Sequence, residues 1–275
     1  MEKSFLEKMV TDFVRASPEN YTAKEAAIRP SLAGLRFFDE PLFGYAAADD
    51  VFFAEFKKPG IIGPDFMSPN EWLPEAKSVI SVFLPFTIQV RTANRKNMDW
   101  PADEWLHARV EGQMFQDSVC RYMEGLFIQE GFSALAPMID PRRKWGNSSI
   151  TDKADQSYYT SNWSERHIAY AAGLGTFGLS RGLITQRGVA GRFVSTITSG
   201  YFEPDKRSYT GVYDYCTNCG ACAQNCPAGA ITMENGKMHY PCSVFLDRTR
   251  AKYAPRYGCG KCQVSVPCED KAPGI

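Results

Sequence analysis

Cysteines crowd into the last quarter of this chain, and their spacing constrains the fold more than any other feature. Eight of the nine fall between positions 216 and 268 of 275 residues. The first four read Cys216-Thr-Asn-Cys219-Gly-Ala-Cys222-Ala-Gln-Asn-Cys226-Pro227, a C-x2-C-x2-C-x3-C-P spacing. Two intervening residues let the chain turn so that successive thiolates reach different metal atoms, which is typical of a [4Fe–4S] site. The segment is therefore expected to fold around a metal cofactor.

The remaining cysteines supply a second set of thiolates. In two-cluster proteins the fourth cysteine of such a run binds the other cluster, so two clusters need eight thiolates, the number present here. The sequence therefore predicts two [4Fe–4S] clusters. The predicted ligands are Cys216, Cys219, Cys222 and Cys268 for the first cluster, and Cys226, Cys242, Cys259 and Cys262 for the second. The second run is irregular, because Pro267 precedes Cys268 instead of following it.

Disulfides and zinc are the alternatives for clustered cysteines. Disulfides need an oxidising compartment, and the first residues do not resemble a signal peptide. Zinc takes four ligands, usually as two separated pairs, and three consecutive short steps overfill one tetrahedral site. The iron–sulfur interpretation is therefore favoured for both runs. Cys120 stands apart in an expected helix, where a buried inert thiol is expected.

Charge and hydropathy exclude two classes of protein. Lysine plus arginine equals aspartate plus glutamate at 31 each, so no global basic field attracts nucleic acid. No apolar run approaches the roughly 20 residues that a membrane span needs. Free thiols and the lack of a recognisable leader favour a cytoplasmic protein without membrane association.

Hydrophobic periodicity predicts a mixed α/β (α+β) fold. The apolar run at 79–86 predicts a buried strand, and residues 107–130 predict a long helix that ends at Gly131. Further strands are expected at Leu183–Thr185 and at 192–198. Residues 20–75 and 141–163 show no period and are expected to be irregular.

A glycine-rich string lies between an expected short helix and an expected strand. It reads Ala172-Gly173-Leu-Gly175-Thr-Phe-Gly178. A dinucleotide-binding fingerprint needs a strand before the glycines and a helix after them, so this reversed order excludes that function. The glycines then indicate either a backbone that approaches a bulky ligand or a tight helix-to-strand turn, and the spacing leaves both open.

Three segments together resemble the epoxyqueuosine reductases and their relatives, the reductive dehalogenases. They are Leu73-Pro-Glu-Ala-Lys-Ser-Val-Ile80, the glycine string with Leu183–Thr185, and the cysteine block. The resemblance covers most of residues 60–268. It implies a nitroreductase-like domain that binds cobalamin, expected at residues 1–205, followed by a ferredoxin-like domain with two [4Fe–4S] clusters, expected at 206–275.

The resemblance also implies a cofactor site and an electron pathway. An external low-potential donor such as ferredoxin or flavodoxin reduces the clusters, which pass single electrons to cobalt for reduction of a substrate. The corrin-lining residues implied are Gly173, Leu174, Gly175, Thr176, Phe177, Gly178, Leu183, Ile184 and Thr185. Because the chain lacks a D-x-H-x-x-G segment, cobalamin is expected to bind base-off without a histidine ligand.

One departure from the family concerns the proton donor. Epoxyqueuosine reductases carry an acidic residue at the position that Tyr159 occupies here, next to Tyr158. Reductive dehalogenases use a tyrosine acid, so Tyr159 and Tyr158 are the candidate catalytic residues. Asp152 and Asp155 are the alternative donors, and packing on a loop is the alternative role for the tyrosines.

A second departure concerns the substrate. The family continues past the clusters into a helical region that helps to hold tRNA, whereas this sequence stops shortly after Cys268. The expected substrate is therefore either a small molecule or a tRNA-borne group. The expected function is an iron–sulfur, cobalamin-dependent reductase. The alternative is a non-catalytic electron-transfer protein, such as a reductive activator of a corrinoid protein.

Overall fold

The computed structural model describes residues 1–147 and 159–274. The α-helices in these residues are α1 Lys3–Ala16, α2 Val51–Glu55, α3 Pro69–Trp72, α4 Ile88–Arg95, α5 Asp103–Gln129, α6 Glu165–Ala171, α7 Ala221–Gln224 and α8 His239–Tyr253. The strands are β1 Leu42–Ala47, β2 Ser78–Pro85, β3 Ala134–Leu135, β4 Trp145–Asn147, β5 Tyr159–Ser161, β6 Gly175–Phe177, β7 Leu183–Thr185, β8 Gly191–Thr198, β9 Ile231–Thr232 and β10 Gly236–Lys237. None of the helices in the described ranges has the length and apolar character of a bilayer-spanning segment.

A four-stranded antiparallel sheet, in the order β1-β2-β8-β3, forms the centre of the larger unit. Every residue of β2 is buried, because the sheet is covered on both faces. Val79 and Phe83 belong to the hydrophobic cluster on one face, whereas Ile80 and Val82 belong to the cluster on the other. This alternation follows from the two-residue period of a strand.

Helices cover the two faces of this sheet. The long helix α5 packs on one face through residues such as Phe115, Val119 and Met123, and α1 adds Leu6 and Val10 to the same cluster. Helix α6 contributes to the cluster on the opposite face. The short hairpin β6–β7 continues that second layer toward the cysteine-rich segment.

The cysteine-rich segment packs against the larger unit. Tyr209 and Tyr215 lie in the same hydrophobic cluster as α6, and so do Val266 and Ala272 near the other end of the segment. Val264 joins the cluster under α5. The polypeptide therefore leaves the larger unit, forms the cysteine loops with α7 and α8, and returns to it. The division at 205/206 stays a prediction.

Most predicted elements are confirmed. The expected strand at 79–86 is β2, the expected helix at 107–130 is α5, and the strands at Leu183–Thr185 and 192–198 are β7 and β8. The expectation of irregular structure at 20–75 is wrong for α2, for α3 and for β1, which pairs with β2 along its whole length. The expected loop at 141–163 contains the antiparallel strand pair β4 and β5.

Candidate metal centre and adjoining cleft

Four cysteines line one open pocket. They are Cys216, Cys219, Cys222 and Cys268, the set predicted for the first cluster. Burial is the main cause that raises the pKa of the Cys268 thiol. The charges of the other three thiols raise it further, to about 12. The structure therefore brings these four residues together.

Backbone geometry explains how a short loop presents three of these thiols. Asn218 and Gly220 adopt left-handed conformations with φ of 52° and 75°, and α7 begins directly after them. These turns reverse the chain between successive cysteines, a conformation that asparagine and glycine adopt most readily. The fourth thiol arrives from the returning chain, where Val189 N–H donates to Cys268 O at 2.8 Å.

The other four cysteines form a second neighbourhood. Burial raises the pKa of Cys262, and so do the charges of Cys242 and Cys226, while Lys237 lowers it. Burial raises the pKa of Cys259 to about 12, with Cys262 and Cys242 adding to the increase. A bound metal deprotonates its thiol ligands, so such thiols ionise only on loading. This second set matches the predicted ligands of the second cluster.

The two neighbourhoods adjoin each other. Burial is the main cause that raises the pKa of Cys222 to about 11. The second-largest cause is the charge of Cys262, which belongs to the second set. Cys219 is exposed at the protein surface. Within residues 1–147 and 159–274, no group of three or more His, Cys, Asp or Glu side chains is arranged so that it could hold a single metal ion. The first four thiols border a space instead, which suits a multi-atom cluster. As expected, Cys120 is a buried free thiol in α5.

The glycine string forms the end of α6 and the hairpin β6–β7. A Cβ at Gly175 would lie 1.9 Å from Ile184 O, so this glycine is needed for the close pairing of the two strands. A Cβ at Gly178 would lie 3.7 Å from Cys216 Sγ, and Gly178 lines the first cysteine pocket. The tight-turn interpretation thus has a structural basis at Gly175.

Most side chains predicted to line the corrin are engaged inside the protein. Leu183 and Ile184 are 1% exposed and belong to the hydrophobic core. The buried hydroxyl of Thr176 accepts a hydrogen bond from Tyr215 N–H at 2.9 Å, and that of Thr185 donates to Gly188 O at 2.9 Å. Contact between this hairpin and a corrin stays a prediction.

Of the four candidate proton donors, Tyr159 lies within the described residues. The backbone of Tyr159 begins β5 and pairs with Asn147 of β4. Tyr158, Asp152 and Asp155 lie outside the described residues. The catalytic role of these four residues stays a prediction.

A group of arginines that sequence reasoning missed lies beside the second cysteine set. Arg166 of α6 is exposed to water, yet burial is the main cause that lowers its pKa, and the nearby thiols of Cys262 and Cys242 oppose that shift. Arg192 of β8 is half-buried, and burial lowers its pKa to about 9.

We call these residues the arginine group: Arg109, Arg143, Arg166 and Arg192. The charges of the first three add to the lowering of the pKa of Arg192. Arg143 stacks on the Trp145 ring at 4.1 Å. The four residues come from α5, the segment before β4, α6 and β8, so only the tertiary fold brings them together.

Glu165 of α6 is half-buried, and both of its carboxyl oxygens are buried. Burial raises its pKa to about 7, while the nearby Ser195 hydroxyl and the Arg143 charge oppose that shift.

Comparison with known proteins agrees with this geometry. Residues 209–232 match the family described as 4Fe-4S binding domain. The epoxyqueuosine reductase of Bacillus subtilis is 26% identical over 212 residues, which cover 73% of this chain and 50% of that protein. The chain thus spans about half the length of this curated relative.

Solved structures share the fold. The catabolic reductive dehalogenase NpRdhA, in complex with 3-bromo-4-hydroxybenzoic acid, superposes with a TM-score of 0.55 at 16% identity, over 84% of this chain and 30% of that chain. An epoxyqueuosine reductase from Streptococcus thermophilus gives 0.50 at 17% identity, over 97% of this chain and 66% of that chain. The predicted fold class is therefore confirmed. The chain contains a 4Fe–4S binding domain, is related in sequence to the epoxyqueuosine reductases, and shares its fold with them and with a reductive dehalogenase.

Proposed function

We propose that the chain is a reductase that binds two [4Fe–4S] clusters and cobalamin and reduces a substrate. One observation carries this proposal: eight thiols form two adjoining sets of four, and the second set lies beside Arg166. Adjoining clusters suit stepwise transfer of single electrons. The likeness over most of the chain to proteins named as reductases favours an enzyme over the alternative of an electron carrier.

The exposure of the cysteines suggests a direction for the electrons. Cys219 is exposed and borders the open pocket, so an external low-potential donor such as ferredoxin or flavodoxin is proposed to act at the first cluster. Cys222 and Cys262 adjoin each other across the two sets and suggest the step between clusters. The second cluster would then lie beside Arg166 of the arginine group.

The arginine group fits the polar groups of a large cofactor. Arg166 is exposed and Arg192 is half-buried, and Arg143 Nε is buried without a hydrogen-bond partner in the described residues. When bound, cobalamin would supply a low-valent cobalt that reduces the substrate. Arg166 and Arg192 would contact its polar groups, and the β6–β7 hairpin remains the proposed corrin contact.

The histidines support base-off binding. His107 is fully buried and its Nε2 accepts a hydrogen bond from Ile28 N–H at 3.1 Å. His167 packs against the rings of Phe56 and Phe177, and burial lowers its pKa to about 3. Both imidazoles are engaged in packing, so neither is proposed as a cobalt ligand.

Proton delivery and substrate class complete the proposal. Tyr159 is proposed as the donor, with Tyr158 as its alternative, because a phenol keeps its proton at neutral pH. The substrate is proposed to be a small molecule or a modified base in tRNA, by analogy with the relatives. Cysteines that bind clusters and are not paired in disulfides suit a reducing compartment. The cytoplasm is therefore the proposed location.

Anaerobic reconstitution tests this function. The purified protein is expected to take up about eight irons and about eight sulfides, and to shift the visible spectrum of added cobalamin. Reduced flavodoxin should then reduce both clusters, and Tyr159→Phe should lower turnover by about a hundredfold without changing either cofactor. Stoichiometric zinc in place of iron would refute the cluster assignment. Loaded clusters without any cobalamin binding would leave only the electron-carrier function.

A further inference from the structure

Asn94 is a buried residue of α4 at the contact between the larger unit and the cysteine-rich segment. It is 0% exposed, and its Nδ2 donates to Cys259 O at 3.0 Å. Its Oδ1 accepts from Lys261 Nζ at 2.7 Å and from Ala102 N–H at 3.1 Å. The main-chain oxygen of Asn94 accepts a second hydrogen bond from Lys261 Nζ, also at 2.7 Å. One residue of the larger unit therefore holds the loop that carries Cys259 and Cys262.

The chemistry of these partners requires an amide side chain at this position. An ammonium group and a backbone N–H only donate hydrogen bonds, so they must face the side-chain oxygen. A carbonyl only accepts, so Cys259 O must face the NH2 group. Aspartate would place a second oxygen against Cys259 O, and an apolar side chain would remove a partner from both Cys259 O and Lys261 Nζ in a buried site. The amide of Asn94 satisfies both sides at once.

Packing confines the same loop from two further sides. Gly260 adopts a left-handed φ of +68°, and a Cβ there would lie 1.9 Å from Trp105 Cζ2 of α5. Trp105 is 3% exposed, so the close-packed core holds its ring in place. Gly258 N–H donates to Thr249 Oγ1 of α8 at 3.2 Å. The main chain around Cys259 is thus held between α4, α5 and α8.

The end of α4 also contacts the other cysteine set. Arg95, the residue after Asn94, pairs with Glu269, which directly follows Cys268 in the chain. Cys268 is a predicted ligand of the first cluster, and Cys259 is a predicted ligand of the second. Two consecutive residues of one helix therefore each hold a ligand loop of a different cluster.

We propose that Asn94 is a positioning residue for the second cluster, because it fixes the main chain of Cys259 and thereby the direction of the thiol. Groups that hold the ligands of a metal site typically contribute about tenfold to a hundredfold to metal affinity. The inference rests on the proposed function for the presence of a second cluster. The hydrogen bonds of Asn94 do not depend on it.

The test compares Asn94→Ala and Asn94→Asp with Asn97→Ala, each in anaerobically reconstituted protein. Asn97 is exposed, and its Oδ1 accepts from Asp99 N–H at 2.8 Å and from Trp100 N–H at 3.1 Å. The control therefore removes a hydrogen-bonding amide that serves its own loop, close by in the chain. Each protein is mixed with an iron chelator, and visible absorbance follows the release of iron.

Both Asn94 variants should release half of their irons, about four per chain, roughly tenfold to a hundredfold faster than wild type. The other half should leave at the wild-type rate, and Asn97→Ala should release all irons as wild type does. Electron paramagnetic resonance of the reduced, partly depleted Asn94 variants should show a single cluster without coupling to a second one. Asn94→Asp still accepts from Lys261 and Ala102, so it keeps the fold if Asn94→Ala does not.

Three results would overturn the inference. One is a wild-type rate of iron release in Asn94→Asp. Another is a lower urea midpoint of the Asn94 variants with iron release unchanged, because the residue would then only stabilise the fold. The third is equally fast release of all irons, because Asn94 would then serve the whole cysteine-rich segment. A wild-type protein that takes up only about four irons refutes the second cluster and the inference together, whereas about eight irons with any of these three results refutes the inference alone.

Discussion

At the scale of single residues, Lys261 combines burial with charge beside the second cysteine set. Its side chain is fully buried, and Nζ donates to both Asn94 O and Asn94 Oδ1 at 2.7 Å. Burial lowers the pKa of Lys261 to about 8, while the charge of Cys259 opposes that shift. Two acceptors favour the ammonium form, so a positive charge lies next to two predicted cluster ligands.

We expect Lys261→Gln to lower the reduction potential of the second cluster. A nearby cation stabilises the added electron, and removing it should shift the potential by about tens of millivolts. Redox titration followed by electron paramagnetic resonance measures the shift. Lys252→Gln, at an exposed residue of α8, is the matched control. Identical potentials in the two variants would show that the Lys261 charge does not reach the cluster.

At the scale of elements, the turn between β7 and β8 holds the chain that carries Cys268. Val189 N–H donates to Cys268 O at 2.8 Å, and Ala190 N–H donates to Glu269 O at 3.1 Å. Gly188 makes this approach feasible, since a Cβ there would lie 2.3 Å from Glu269 O. An element of the larger unit therefore positions a ligand predicted for the first cluster.

Gly188→Ala is expected to displace Cys268 and to weaken the first cluster while sparing the second. Iron content should fall from about eight toward about four per chain. Gly34→Ala is the control, because Gly34 has the same φ of +78° but open space around it. Both variants carry the left-handed strain of roughly 1 kcal/mol, and only Gly188→Ala adds the clash. Full iron content in Gly188→Ala would contradict the positioning role of the turn.

Local pattern also explains which elements the sequence could predict. The helix at α5 and the strand β2 follow from periodicity and from a continuous apolar run. The predicted helix began at residue 107, whereas α5 begins at Asp103 with two acidic residues in its first turn. Acidic side chains favour a helix N-terminus, so that signal was present. The sequence of strand β1 carries no comparable pattern. Its extended conformation depends on the pairing with β2.

At the scale of the whole molecule, ion pairs join the cysteine-rich segment to α4. Glu269 is 4% exposed and pairs with Arg91 at 3.1 Å and with Arg95. Its carboxylate also accepts from Ser265 N–H at 2.8 Å. A carboxylate buried among three donors keeps the returning chain against the larger unit.

Glu269→Gln is expected to lower the free energy of unfolding by about 3 kcal/mol, because it removes the buried carboxylate charge that pairs with both Arg91 and Arg95. The urea midpoint of the anaerobic holoprotein measures the loss. Asp270→Asn is the control, since the exposed Asp270 shares Arg91 at 2.8 Å and should contribute about 1 kcal/mol or less. Equal midpoints for the two variants would show that burial adds nothing to this contact.

The sequence by itself determined the features that depend on short spacing. Two or three residues between cysteines limit where each thiol can reach, so the run from Cys216 to Cys226 was predictable as a metal-binding loop, while the assignment of all eight cysteines to two clusters stays a prediction. Periodicity likewise determined β2, β7, β8 and most of α5. Only the tertiary structure decided the arginine group, since Arg109, Arg143, Arg166 and Arg192 lie on different elements and share no local pattern. It also decided that Gly175 serves the β6–β7 pairing, because the contact with Ile184 depends on how two strands meet. Burial and the convergence of charges arise between elements that are distant in the chain, and no local spacing encodes them.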